Sequence, residues 1–333
     1  MPVRVIGGGP AGASAAIAAR IEGAAVEIFE KSSFPRHKVC GEFLSPEIAG
    51  ILDGLGVWPA FEALAPPRIS RVHLAIERSE KRWPLPERAY GLSRFALDDL
   101  LLRHAIEKGA HVSRENCKNP NRGSPYATVI AHGRRASAPS GSRLFGFKAH
   151  FTGPASDAID LFFFRGCYLG VSAIENGATN VCGLAPESLL RARNFEVESL
   201  FALSPLLAER LAPLTRAMQW LITGPLIYRD SFHAQTSPGE YLAGDALGFV
   251  DPFTGSGLLA AFTTGGMAGM AAARGLPVAR HMLDCKKLLG SQYGTAALFR
   301  RAVSSGIAER LAPLVPGRLL FQWTRPAGYK KSR

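Results

Sequence analysis

The chain has few of the features that would place it in a simple class. Its 333 residues hold five cysteines (Cys40, Cys117, Cys167, Cys182 and Cys285), none in a Cys-x-x-Cys pair or at metal-ligand spacing from histidine. That usage argues against a disulfide framework or a zinc site and fits a reducing, cytoplasmic setting. No metal is expected. No apolar run is long enough for a membrane span. The apolar start is interrupted by Gly7, Gly8, Gly9 and Pro10, where a signal peptide needs a continuous run. Lysines and arginines exceed acidic residues by 39 − 27 = 12, but no basic run stands outside the tail "GYKKSR". A dispersed excess of this kind suits solubility and anionic small ligands rather than nucleic acid.

What is present is a globular composition, 47% hydrophobic and 20% charged, with 35 glycines that imply tight turns or close backbone approaches. The opening "VRVIGGGPAGASAAIAARIEGAAVEIFEK" reads as strand, turn, helix, turn, strand. Gly7, Gly9 and Gly12 fit G-x-G-x-x-G, with Ala11 inside the turn, and Glu30 ends the second strand 18 residues after Gly12. Gly7 permits the turn, Gly9 lets backbone approach a pyrophosphate, and Gly12 lets the helix pack on the strand. The helix N-terminus holds phosphate, and the acid, with Lys31 beside it, meets a ribose. A dinucleotide site follows.

A second glycine motif selects the dinucleotide. "YLAGDALGFVDPFTGSGLLAAF" (241–262) reads as a strand, a Gly244-Asp245 turn, a Pro/Gly loop and an apolar helix from Gly257. Together with "GGGPAG" it resembles the flavoprotein monooxygenase and reductase superfamily typified by para-hydroxybenzoate hydroxylase. The resemblance implies FAD as cofactor, with Asp245 on the ribityl chain. It also implies that the loop through Pro252, Gly255 and Gly257 offers backbone N–H groups to the pyrimidine end of the flavin. A helix N-terminus there would favour the negative charge of reduced flavin. "GLSRFALDDLLLRHAIEKGA" (91–110) has a helical stripe of Leu97, Leu100, Leu101 and Ala105. It resembles the superfamily's arginine-bearing helix start, which implies Arg94 near the flavin phosphates or ribityl.

Two stretches depart from that pattern. His132 of "VIAHGRRAS" stands where the superfamily carries the Asp of an Asp-Gly motif, so no role is carried over to it. Residues 111–128, rich in Asn, Pro, Gly and Ser, read as a loop where alternating strands are expected.

The stretch "PRHKVCGEFLSPEIAGILDGLGV" (35–57) resembles more narrowly the geranylgeranyl reductase branch, which has relatives among flavin-dependent halogenases. Ser45, Pro46 and Glu47 suit a cap and first turn, with Ile48, Ile51 and Leu52 as a buried stripe. Gly41 is expected to let backbone lie against the flavin, with Cys40 near the ring or the substrate cavity. A basic neighbour could lower the thiol pKa; packing and chemistry both stay open for Cys40.

Residues 141–223 lack glycine motifs. "RLFGFKAHF" and "AIDLFFFRGCYLGVSAIENGATNVCGLA" read as strands of a substrate-covering sheet. Lys148 and His150 share one face of the first, and Lys148 is a candidate catalytic group. Residues 190–223 read as a helical lid, and the basic amphipathic end of 276–333 as a helical region able to touch a membrane surface.

The expected fold is α/β: a Rossmann-like FAD-binding domain of the glutathione reductase and para-hydroxybenzoate hydroxylase type, with a β-rich substrate domain. The FAD domain is expected to be discontinuous (1–75, 90–140 and 225–275), with the substrate domain at 76–89 and 141–224. The leading function is FAD-dependent reduction of a carbon–carbon double bond in a small apolar, prenyl- or polyketide-like substrate. Monooxygenation is the alternative, halogenation a third, and a non-catalytic flavin-binding protein a reading of another class. No Trp-x-Trp-x-Ile-Pro motif of tryptophan halogenases occurs. No second nucleotide motif identifies the electron donor, NAD(P)H or reduced ferredoxin. Substrate and oligomeric state stay open.

Overall fold

A computed structural model describes residues 1–115, 126–134, 143–226, 237–249 and 255–290. The first unit is a five-stranded parallel sheet. Its strands are β1 (Val3–Ile6), β2 (Val26–Phe29), β6 (His111–Ser113), β7 (Ala127–Ile130) and β14 (Glu240–Leu242), in the order β14-β7-β1-β2-β6. The central strand β1 is lined by fully buried Val3 and Val5, as a strand covered on both faces requires.

Helix α1 (Pro10–Ile21) follows β1 directly. Pro10 starts it where a missing N–H costs nothing, and its alanines let neighbours approach on every side. Helix α7 (Gly257–Arg274) crosses α1 at very short range: a Cβ on Gly265 would stand 2.2 Å from the Ala11 carbonyl oxygen, and one on Gly269 2.0 Å from that of Ala15. Glycines at i and i+4 place both bare positions on one helix face. That contact brings the N-terminus of α7 beside the β1–α1 turn, although the two segments lie some 250 residues apart.

The second unit is a nine-stranded sheet. In it β3 (Phe43–Leu44), β4 (Arg68–Ile76) and β5 (Ser79–Gly91) join β8 (Leu144–Thr152), β9 (Ala158–Phe164), β10 (Cys167–Ala173) and β11 (Ala178–Pro186), together with β12 (Thr215–Arg216) and β13 (Leu221–Leu226). Its pairings are antiparallel except for β4 with β9. One face carries Phe147, Ala149, Phe151, Phe162 and Phe164 into a core closed by α5 (Glu187–Arg191) and α6 (Pro205–Leu211). The other face turns towards the first unit.

Helices α2 (Ile48–Gly54) and α3 (Trp58–Ala63) connect the units, and α4 (Arg94–Glu107) packs on α1. Ile48 and Leu52 are buried as the stripe predicts, with Ile51 half-buried against the same core.

Three expectations shift. The changeover to the substrate sheet was placed at residue 76, but the whole of β4 from Arg68 pairs within that sheet. Its exposed arginines, Arg68 and Arg71, hid a strand that also carries buried Ile69, Val72, Leu74, Ala75 and Ile76. The helical reading of 190–223 holds only in part, because 215–216 and 221–226 pair with β8. The loop reading of 111–128 yields at its ends to β6 and β7; residues 116–125 lie outside the described residues. Of the C-terminal region, 278–290 is helical, and 291–333 lies outside the described residues. Among those described, no helix is long and apolar enough to cross a membrane.

Candidate cofactor and active site

The glycine turn is built on contact distances. A Cβ on Gly12 would lie 1.7 Å from the Gly7 carbonyl oxygen, and one on Gly7, at φ +103°, 2.5 Å from that of Ala131. Both positions exclude any other residue. Gly9 is different. It caps α1 in an extended conformation, and a Cβ there would meet only Arg94 Nη2, at 3.8 Å. The open side of the turn therefore faces a guanidinium beside the N-terminal N–H groups of α1, an arrangement suited to a diphosphate. Glu30 is buried at the end of β2, and its carboxylate accepts from Gly8 N at 2.8 Å and Ser32 N at 2.7 Å. Arg36 lies 3.6 Å from it. Lys31, beside Glu30, is exposed.

Arg94 stands at the first position of α4. Ser93 caps the helix by accepting from Ala96 N, and Ser93 itself donates to Glu175, which ties α4 to the turn between β10 and β11. The Arg94 guanidinium is held by both oxygens of Asp98, one turn on. Burial disfavours its charge, but Asp98 outweighs burial and raises its pKa. Asp245 sits in a short helical turn after β14, 3.9 Å from Arg134. Its carboxyl is 38% exposed and lies in the field of Arg134, Arg94 and Lys38. Gly244 N donates to Thr264 Oγ1 at 2.9 Å, which pins this turn to α7. Glycine is needed here: φ is +57°, and a Cβ would lie 2.8 Å from that of Ala11. Gly255 approaches Phe43, Gly257 opens α7, and Pro252 lies outside the described residues.

Between Glu30 and the second sheet runs the loop "FPRHKVCGE". It crosses the β8–β11 face, where a Cβ on Gly146 would touch Val39 and where Asn180 Nδ2 donates to the Cys40 carbonyl at 3.0 Å. A Cβ on Gly41 would meet nothing within 4 Å, and Gly41 is exposed. The Cys40 sulfur accepts from Glu42 N at 3.4 Å. Burial raises the thiol pKa and outweighs the pull of Arg94 and Lys148. Cys40 is thus a protonated, weakly nucleophilic thiol. Lys38 is exposed beside Arg36 and Arg94.

The loop ends at a buried ionic cluster. Glu42 is fully buried, as is Lys148, and the two are hydrogen-bonded. The second Glu42 oxygen meets His150 Nε2 at 2.8 Å, and Arg94 N donates to the first at 2.6 Å. Glu42 therefore touches both units. Burial alone would raise its pKa; the His150 hydrogen bond and the Lys148 charge reverse this and hold it below the ordinary carboxylate range. Its φ is +54°, in the region that L-residues avoid, a strain on the order of 1–3 kcal/mol that the surrounding contacts must hold.

The site therefore brings together Gly7, Gly9, Ala11, Gly12, Glu30, Cys40, Gly41, Arg94, Gly244 and Asp245 with Lys148. Glu42, Asp98, Asn180, Glu175 and Thr264 were missed. Asp98 carries a local signal, its i+4 spacing from Arg94. Glu42 stood in the quoted loop, but nothing local shows that a strand some hundred residues later brings Lys148 to it. His132, at the end of β7, uses Nδ1 on the Gly133 carbonyl at 2.7 Å, and its Cα would lie 2.9 Å from a Cβ on Gly7. A cavity of about 530 Å³ opens on the opposite, Phe162-bearing side of the large sheet, where His73 and Arg210 pair with Asp160. It belongs to a different surface.

Comparison with known proteins agrees with this geometry. Residues 1–119 match the family described as FAD binding domain. A tryptophan 2-halogenase of Chondromyces crocatus is 34% identical over 116 residues, 33% of this chain and 22% of that protein. A menaquinone reductase of Mycobacterium tuberculosis is 34% identical over 121 residues, 33% of this chain and 28% of that protein. The chain's match thus spans about a quarter of these relatives. Among solved structures, a triple mutant of the flavin-dependent brominase Bmp2 superposes with a TM-score of 0.81 at 19% identity, covering 97% of this chain and 93% of the brominase. Residues 1–119 thus match an FAD binding domain, and the chain shares the fold of a flavin-dependent brominase.

Proposed function

We propose that the protein is an FAD-dependent oxidoreductase that reduces a carbon–carbon double bond of an apolar, prenyl- or polyketide-like substrate. The observation that carries this reading is the continuous path from the glycine turn, past Arg94 and Asp245, along the Cys40–Gly41 loop to the buried Glu42–Lys148–His150 cluster. In this reading the β1–α1 turn and Arg94 hold the diphosphate, Glu30 the adenosine ribose, and Asp245 with Gly244 the ribityl chain. The bare backbone of Gly41 and the N-terminus of α7 at Gly255 and Gly257 flank the ring. Bound FAD supplies hydride chemistry. The chain's own residues orient it, exclude water and keep protonated groups at the far end. The matched menaquinone reductase and the likeness of "PRHKVCGE" to the geranylgeranyl reductase branch support reduction over oxygenation. Electrons would come from NAD(P)H or reduced ferredoxin.

The second reading is oxygenation or halogenation, favoured by the matched tryptophan 2-halogenase. Anaerobic reduction followed by rapid mixing with oxygen separates the two. A single-step return of the oxidised flavin spectrum supports the reductase. A transient absorbing species between reduced and oxidised flavin supports the alternative. Failure to take up FAD rejects both and leaves a chain without flavin function.

A further inference from the structure

Resting on that reading, we propose that His150 is the proton donor of the site and that the double bond reduced is conjugated to a carbonyl oxygen, as in an enone or a quinone-like ring. Three observations meet at this residue. His150 is fixed through Nε2 on Glu42, and among the described residues its Nδ1 makes no hydrogen bond. Its side chain is 12% exposed, whereas Glu42 and Lys148 are 0% exposed, so the imidazole is the one member of the cluster that reaches open space. The His37 ring stands edge-on to it, with centroids 5.2 Å apart, and is itself exposed.

A histidine anchored at one nitrogen by a buried carboxylate presents the other as an acid or base of defined orientation. The backbone strain at Glu42 fits that purpose. A left-handed non-glycine residue, held by Arg94 N, Lys148 and His150, is kept in place by its surroundings rather than by its own preference. Glu42 and Lys148 are positioning residues. The charges facing His150 are Lys148 on its own strand, Glu42 and His37 from the loop, and Arg94 from the start of α4 behind Glu42. Asp98 behind Arg94 and Glu175 on the His37 side add carboxylates to this group, so an oxyanion next to the imidazole depends on the His150 Nδ1–H as its donor.

The step balances as follows. The carbon β to the carbonyl takes up a hydride, two electrons and one hydrogen, which reduced FAD would supply when bound. The π electrons move to the oxygen as an enolate, hydrogen-bonded by His150 Nδ1–H. His150 then delivers its proton to the α carbon, the carbonyl re-forms, and His150 regains a proton from water by way of exposed His37. An isolated double bond offers no oxygen for this group to hold.

4-Nitrophenol, whose yellow anion mimics an enolate, reports on the site with or without flavin. The wild-type protein should bind it as the anion, and His150→Phe should bind at least about tenfold more weakly. In FAD-loaded protein reduced under nitrogen, reoxidation by 2-cyclohexen-1-one should fall about 10²-fold or more in His150→Gln, the low end for a lost general acid. Glutamine retains a hydrogen bond to Glu42, so FAD content and unfolding midpoint should stay at the wild-type level. No anion binding by the wild type, or changes within twofold in both variants, overturns the proposal. Absent FAD uptake with intact, His150-dependent anion binding would reject the flavin reading and leave the anion site standing.

Discussion

The two ends of the candidate cofactor site hold their ligand surfaces by opposite means. At the β1 end the structure works by removal: Gly7, Gly12, Gly244, Gly265 and Gly269 let backbone approach to distances no side chain permits. At the sheet end it works by addition, with buried Glu42 and Lys148 packed against His150 in an ionic cluster. The first kind of construction tolerates no extra atom. The second tolerates no missing partner. A steric end should fail all at once, whereas an ionic end should fail by degrees and with pH.

The largest effect expected from breaking this contrast is at Gly12. Gly12→Val should give no folded, flavin-binding protein, because even its Cβ would sit 1.7 Å from the Gly7 carbonyl; expression followed by gel filtration and flavin absorbance checks this. Next is Glu42→Ala, which strands Lys148 in the interior. Loss of one partner of a buried pair costs about 3–5 kcal/mol, measurable by urea denaturation near pH 7. Glu42→Gly is informative beside it, since it relieves the φ of +54° while also removing the carboxylate, and should therefore be less destabilising than Glu42→Ala.

The same carboxylate sets a pH prediction. Its folded pKa is lowered, so its stabilisation is fully present above the unfolded carboxylate value, about 4.3. That stabilisation is lost as pH falls through the folded value. The wild-type unfolding free energy should drop on acidification below that point by more than that of Glu42→Gln, whose side chain cannot titrate.

Asp245 differs: its side chain is 38% exposed and that of its neighbour Arg134 30%, so little folding stability rides on its charge. Asp245→Asn should leave the flavin-free protein at least as stable as wild type while weakening FAD binding, read by thermal unfolding and by FAD titration. The smallest effect is expected at Cys40. Its pKa is raised, and its sulfur accepts from Glu42 N and meets Arg94, so Cys40→Ala should retain FAD and change turnover less than Asp245→Ala does.

The same contrast explains what could be read from the residues alone. Glycine turns are local: Gly7, Gly9, Gly12 and Glu30 lie within one strand–helix–strand unit, and their spacing carries their meaning. The parallel sheet around β1 and the approach of Arg94 followed from such motifs. The ionic end is non-local. Lys148 and His150 come from a strand more than a hundred residues beyond Glu42, and the pairing exists only once the large sheet has formed. Lys148 was visible as a polar residue among phenylalanines, but its partner was not. Arg68 and Arg71 concealed a strand because they stand exposed in its first half, before the buried run Leu74, Ala75 and Ile76. The Gly265 and Gly269 contact with α1 left a spacing signal inside α7 but no indication of which helix it meets.

The central claim is that both ends serve a single FAD. Titrating the flavin-stripped protein with FAD, and in parallel Arg94→Ala and Glu42→Gln, tests it most directly. The account predicts one FAD per wild-type chain, much weaker uptake by Arg94→Ala, and near-normal uptake by Glu42→Gln with an altered flavin spectrum. A wild-type chain that takes up no FAD, or a Glu42→Gln protein whose bound flavin is spectrally identical to wild type, would contradict it.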